Sequence, residues 1–173
     1  MACILDSGYT IGCLDNFGGV QKVFIANFSD IASFTMDGTG MINTITDTTG
    51  SAPVFYTFEQ DIEVASFSEN ATNSVENGTS FFEPTVSITL KKLTQAQKNQ
   101  IKTLVQGAWR IMVLDQIGNY HMLGLQNPMR VSASTAGVGK AAGDLNGSVI
   151  TFIGKERDLA PTVDPSVAAG AII

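Results

Sequence analysis

Apolar and polar residues alternate with a period of two along most of this chain, the pattern of strands with one buried face. A first run, "QKVFIANFSD" (21–30), predicts a strand. In "ASFTMDGTGMINTITD" (32–47), two strand-like halves flank Asp37-Gly38, a turn signal. The stretch "APVFYTFEQDIEVASF" (52–67) predicts one long strand. Between 58 and 64 its even positions are Phe58, Gln60, Ile62 and Val64, and its odd positions are Glu59, Asp61 and Glu63, so three carboxylates share one face. Residues 68–79, "SENATNSVENGT", lose the apolar pattern and predict a long hairpin loop or a mobile arm. Alternation resumes in "SFFEPTVSITLKKL" (80–93), with Phe82, Val86, Ile88 and Leu90 on one face and Glu83, Thr85, Ser87, Thr89 and Lys91 on the other. Pro84 has no N–H to give a ladder, so it marks the strand's start, an edge or a bulge.

The period changes once. "TQAQKNQIKTLVQG" opens on Thr94 with Gln97 three residues on, a capping box, and carries Ile101, Leu104 and Val105 at helical spacing. A helix over about 94–106 follows, with Gly107 placed to end it. Beyond it, "WRIMVLD" and "YHMLGL" flank "QIGN" as a compact hairpin, and "MRVSASTAG" and "SVITFIGKE" flank the Gly-rich "VGKAAGDLNG". The stretch "RDLAPTVDPSVAAGAII" has two prolines and little period, and predicts an extended tail ordered only by packing. The expected fold is mainly β: an antiparallel sandwich or barrel with one helix packed on its side. It forms a single domain over 1–158, followed by the tail 159–173.

Composition narrows the function. The chain has 173 residues, enough for one domain with a sizeable core, and only 15% are charged, against about 25% in an average globular protein. Sixteen acidic residues against ten basic ones give a net charge of −6, a poor balance for gripping nucleic acid, since phosphate affinity comes from Lys and Arg. No apolar run approaches the roughly 20 residues of a membrane span. The opening "MACILDSGYT" has no basic region and too short an apolar run for a secretory leader, so the Asn-x-Ser/Thr matches at Asn27, Asn70, Asn77 and Asn146 are expected to be fortuitous.

The reactive residues offer no catalytic set. His121 is the only histidine, no activated nucleophile neighbours it in sequence, and it reads as an ordinary strand residue. "STAGVGKAAGD" evokes a phosphate loop. However, Ser134 stands where the first glycine belongs, and Ala141 stands where the hydroxyl that binds Mg²⁺ belongs. Cys3 and Cys13 supply two ligands where structural zinc takes four. A hairpin centred on Gly8 would set them opposite each other within disulfide range, but buried free thiols are the leading reading for a protein made inside a cell. The Glu59, Asp61, Glu63 row admits three readings: a site for a hard cation, a solvated strand face, or, repeated by symmetry, a negatively charged surface of an assembly. No enzyme and no cofactor are expected.

Several segments together resemble one family. "MACILDSGYTIGCLDNFGGVQKVFIANF" is similar to the opening of the tail tube (major tail) proteins of tailed bacteriophages. There a Cys, a second Cys, a Gly-Gly pair and an aromatic-containing strand ending near Ala-Asn-Phe follow in that order. "TFEQDIEVASFSEN", "NGTSFFEPTVSITLKKLT", "DQIGNYHMLGLQNPMRVSAS" and "GDLNGSVITFIGKER" extend the likeness over roughly residues 1–158. The resemblance rests on spacing and texture. It implies a virion structural subunit, made in the host bacterial cytoplasm and located in the virion tail. Such subunits form hexameric rings that stack into a tube, with strands of six subunits making an inner barrel and with loops and termini linking ring to ring. Double-stranded DNA passes through the bore without specific binding. The other partners implied are tail proteins: a terminator, a baseplate or hub, and in some tails a sheath. No membrane is involved.

On that reading Glu59, Asp61 and Glu63 are candidates for an acidic wall that repels phosphate. Asn73, Glu76 and Asn77 in the polar segment, and Pro161 and Pro165 in the tail, are candidates for contacts between rings. The alternatives are a head–tail joining or tail-terminator ring of the same virion and, from a different class, a small-molecule-binding barrel whose cavity is lined by Phe55, Tyr56, Phe58, Phe81 and Phe82.

Overall fold

The computed structural model describes residues 7–173. Two β-sheets pack face to face, so the sandwich expectation holds, and neither sheet closes into a barrel. The strands are β1 (Val20–Asn27), β2 (Ile31–Met36), β3 (Ile42–Asp47), β4 (Tyr56–Glu59), β5 (Ser66–Ser74), β6 (Thr79–Lys91), β7 (Trp109–Asp115), β8 (Tyr120–Leu123), β9 (Arg130–Gly137), β10 (Gly147–Ile153) and β11 (Thr162–Val163). Among the described residues there are two α-helices, α1 (Gln95–Gln106) and α2 (Pro165–Ala171), where the sequence pattern showed one. The larger sheet runs β2-β3-β11-β8-β7-β1-β4 and the smaller β5-β6-β10-β9. Among the described residues all strand pairings are antiparallel except β3 with β11, and the single bridge Phe55↔Ile172 is parallel as well, so the larger sheet is mixed and not antiparallel throughout as expected.

The centre of the larger sheet, at β1 and β7, is buried on both faces. Along β1, Val23 and Ile25 point into the core between the sheets, while Phe24 and Ala26 point into a second core on the far side. On β7, Ile111 and Val113 face the first core and Met112 and Leu114 the second, which is why "RIMVL" is a near-continuous apolar run. The smaller sheet contributes Val86, Ile88, Ile150 and Phe152 to the first core, all fully buried, and leaves its other face bare.

The tail is part of the fold, contrary to expectation. Val163 inserts as β11 between β3 and β8, and Ala168 and Ala171 of α2 seal the second core. Asp164 caps α2 by accepting from the Ser166 amide at 2.8 Å, and Pro165 takes the first turn, where its missing N–H costs nothing. Pro161 accepts a backbone hydrogen bond from Met122 at 3.0 Å. Both prolines named as inter-ring candidates thus have places within the subunit, although Pro165 remains exposed.

The long strand expected over 52–67 does not form. The chain leaves the larger sheet at Glu59, turns through residues 62–64, and enters the smaller sheet at Ser66. Glu63 sits in that turn with φ +63, and Ile62 and Val64, counted as an apolar face, are 70% and 36% exposed. Gln60 bridges the corner: its Oε1 accepts from the Thr89 amide at 2.9 Å, tying one sheet to the other. Two half-strands of matching alternation belong to different sheets, and period alone cannot show the switch.

α1 follows its sequence signals. The Thr94–Gln97 capping box is formed, Leu104 is buried, Ile101 is half-buried and Val105 is largely exposed. Gly107 ends the helix for a reason other than left-handed backbone, since its φ is −86. The Trp109 indole lies against it, and Trp109 Nε1 donates to the Leu104 carbonyl at 2.8 Å.

Candidate functional site: open sheet edges and a projecting hairpin

Residues 68–79 form most of a β-hairpin. β5 and β6 pair from Ser66↔Ser87 to Ser74↔Thr79 around the turn Val75–Gly78, in which Asn77 bonds the Ser74 hydroxyl and Gly78 takes φ +61. Partnering by β10 stops at Ile153↔Thr85, so the hairpin runs on past the sheet. Its base is pinned twice: Phe82 and Glu156 exchange backbone hydrogen bonds at 2.8 and 2.9 Å, and Glu69 accepts from the Ala160 amide at 2.8 Å. Beyond that point three paired residues per strand and the four-residue turn project, the ladder alone spanning roughly 10 Å at the usual strand rise. Asn73, Glu76 and Asn77 lie at this exposed tip. A polar segment holds a strand here because the ladder, not a core, satisfies its backbone.

The smaller sheet ends in two open edges. Among the described residues β5 pairs only with β6, and β9 only with β10. Natural edges are blunted by Lys, Pro or brevity. These edges are nine and eight residues long and contain neither Lys nor Pro, although β9 carries a bulge at Ser132 and has α1 beside it. The single ionisable residue of β5, Glu69, is engaged with Ala160, and that of β9, Arg130, stands at the strand's start. The bare face between the edges carries Ser66, Ser68, Thr85, Ser87, Thr89 and Thr151 opposite the core-facing positions, together with Val149, Ile153 and Lys91.

The three carboxylates do not make a shared strand face. Glu59 ends β4 and pairs with Lys22 at 3.5 Å, Asp61 pairs with Lys91, and Glu63 lies in the corner turn. The aromatics offered as a barrel lining are scattered likewise. Phe55 is in the second core, Phe58 is between the sheets, Tyr56 is exposed, and Phe81 and Phe82 sit on opposite faces of the hairpin.

His121 is a strand residue of β8, with Nε2 3.2 Å from Asp115. Burial works to raise the Asp115 pKa, but hydrogen bonds from Asn119 and His121 outweigh it and hold the carboxyl below its ordinary value. That carboxylate closes the "QIGN" hairpin by accepting from the amides of Ile117 and Asn119. Asp37 and Asp47 use the same geometry in their own hairpins, with Gly40, Gly50 and Gly118 supplying the left-handed residue of the three. In the Gly-rich loop the Asp144 carboxylate takes the amides of Lys140 and Ala141 at 2.7 and 2.8 Å, so these N–H groups are occupied from within.

Two buried charged residues were not foreseen, and Nε and Nη1 of Arg110 have no hydrogen-bond partner among the described residues. Arg110 and Glu156 are 7% and 8% exposed. Glu156 accepts from the amides of Gln126 and Asn127 at 3.2 Å, and Arg110 stacks 4.6 Å from the Phe28 ring and donates to the Leu125 carbonyl. Burial pushes the Glu156 pKa up against those amide bonds, and burial pulls the Arg110 pKa down against the attraction of Glu156.

Cys13 is exposed, in a stretch without strand pairing, so the buried thiol expected there is not found. Cys3, and with it the pairing of the two, lies outside the described residues. Among the described residues no three His, Cys, Asp or Glu side chains gather to hold a metal, and no helix is long and apolar enough to cross a membrane. No family model, curated protein or solved structure matches the chain.

Proposed function

We propose that this chain is a self-assembling virion subunit of the tail tube kind, in which β5 of one copy pairs with β9 of the next to close a hexameric ring. The observation that carries this reading is the smaller sheet itself, with two long edges at its opposite ends that pair with no further strand among the described residues. Joining unlike edges is a heterologous contact, and rotation between copies closes it into a ring. The smaller sheet takes the inner radius because the seven-stranded sheet needs the larger circumference, and its bare face then lines the bore. That face offers hydroxyls and no row of cations, so duplex DNA slides past it without being held. Charged rows at Glu59, Asp61 and Glu63 are not needed for this. The projecting hairpin, with Asn73, Glu76 and Asn77 at its tip, reaches toward the adjoining ring. Sedimentation velocity of the purified chain tests the reading. Hexamer-sized and larger species support it, hexamers that never stack mark a joining or terminator ring, and a monomer at all concentrations refutes it.

A further inference from the structure

Three pairs in the chain join an acidic or amide side chain to a following glycine: Asp37-Gly38, Asn77-Gly78 and Asn146-Gly147. In each, the glycine nitrogen can close a five-membered ring on the Cγ of the residue before it, and the glycine has no Cβ to hinder the approach. The fold treats the three differently.

Asp37 is withdrawn from such chemistry. Its Oδ1 accepts from the Thr39 hydroxyl at 2.6 Å, the Thr39 amide at 2.8 Å and the Met41 amide at 3.0 Å. The Thr39 hydroxyl above all holds the carboxyl below its ordinary pKa, and an ionised carboxylate is a poor electrophile. Asn146-Gly147 is clamped at the backbone. Gly147 is buried between Lys91 on one side and Gly137 on the other, packed so closely that a Cβ there would meet the Leu90 carbonyl. The Asn146 carbonyl accepts from the Lys92 amide at 2.7 Å. Turning the Gly147 nitrogen onto the Asn146 side chain would break that pairing. Asn77-Gly78 has no such hold. Both residues are exposed in the turn beyond the last ladder pair, Ser74↔Thr79, and the Gly78 amide donates to no backbone carbonyl among the described residues. Asn77 is restrained by two long bonds to the Ser74 hydroxyl, from its amide at 3.4 Å and from Nδ2 at 3.2 Å, and neither covers Cγ.

We propose that Asn77 is a site of spontaneous deamidation, with water as co-reactant, and that it is the pair of the three that reacts in the native chain. The Gly78 nitrogen gives its proton to hydroxide and attacks Asn77 Cγ. The new N–Cγ bond forms, the Cγ–Nδ2 bond breaks, and ammonia leaves with a proton taken from water. Water then opens the succinimide at either carbonyl, leaving aspartate or isoaspartate. Either product sets a second carboxylate beside Glu76, and isoaspartate adds one carbon to the backbone of a tight turn that holds Gly78 at φ +61. The inference goes beyond the assembly reading and does not rest on it.

The test is to hold the native chain warm at mildly alkaline pH and sample it with time. Cleavage after glutamate releases residues 77–83, and cleavage after lysine releases residues 141–155. The 77–83 peptide should gain one mass unit and split into two chromatographic forms. Its rate should exceed that of the 141–155 peptide by about tenfold or more, since Asn146 must wait for its ladder to open. In urea the two rates should converge, because the difference lies in the fold. In an Asn77→Ser chain the early mass gain of the intact protein should vanish at an unchanged melting temperature, as the turn belongs to neither core. An unchanged 77–83 peptide, equal rates for the two peptides in the native chain, or an early gain that persists in Asn77→Ser would each overturn the proposal.

Discussion

Gly107→Ala tests whether α1 is locked to the sandwich through Trp109. A Cβ built at Gly107 would lie 2.5 Å from Cε2 and 2.8 Å from Cη2 of the indole, and closer still to Cζ2. The ring cannot slide away freely. It is 8% exposed, its Nε1 is bonded to the Leu104 carbonyl, and its backbone exchanges hydrogen bonds with Met129 at 3.0 and 2.9 Å. Overpacking costs about 1–3 kcal/mol, and a lost indole hydrogen bond adds about 1 kcal/mol. Together these give roughly 2–4 kcal/mol, a fall in melting temperature of about 5–15 °C for a domain of this size. The chain has a single tryptophan, so fluorescence reports this site alone. Thermal melts followed by calorimetry should show the drop, and the native emission should shift toward that of a solvated indole. Gly143→Ala, with open space around its Cβ, is the control and should stay within about 0.5 kcal/mol. An unchanged melt and unchanged emission in Gly107→Ala would refute the close approach and the lock built on it.

Acid should destabilise the protein through its turn carboxylates. Hydroxyl and amide donors at Thr39, Thr49 and Ser166, and the amides of Ala141 and Lys140, hold Asp37, Asp47, Asp164 and Asp144 below their ordinary pKa. A lowered folded pKa gives stability that is present above the unfolded value and lost as pH falls through the folded one. Melting temperatures should therefore hold down to about pH 4 and drop below it. Glu156 runs the other way: burial raises its carboxyl pKa and the attraction of Arg110 lowers it, so Arg110→Met should raise it further and make the variant's stability loss larger at pH 8 than at pH 4, as read by urea melts at the two pH values. Replacing residues 72–81 by Asn-Gly shortens the projecting hairpin without touching either core. The melting temperature should stay within about 2 °C, while sedimentation should show rings that no longer stack.

The strands at the centre of the sheets were legible because burial imposes a pattern on them. "RIMVL" is apolar throughout because β7 is covered on both faces, and "TVSITL" alternates because β6 is covered on one. The Thr94 box and Leu104 likewise announced α1. The corner at 60–65 was not legible, since Phe58 and Ala65 reach the same core from different sheets and nothing local marks the crossing. β5 was missed because polar residues can hold a strand by ladder bonds alone, although Asn77-Gly78 was a hairpin signal. α2 was missed although Asp164-Pro165 has the form of a helix start. The open edges of β5 and β9 had no signature at all, because an edge is defined by which strands fail to arrive, a property of the whole topology. Arg110 and Glu156 are 46 positions apart in the chain, and only the packing of the sheets brings their environments together.

Electron microscopy of the purified chain tests the central claim most directly. Hollow rings, stacked into tubes as concentration rises, are the expected images, with one sheet continuous around the bore at higher resolution. A field of separate compact particles at every concentration would contradict assembly through the open edges of β5 and β9.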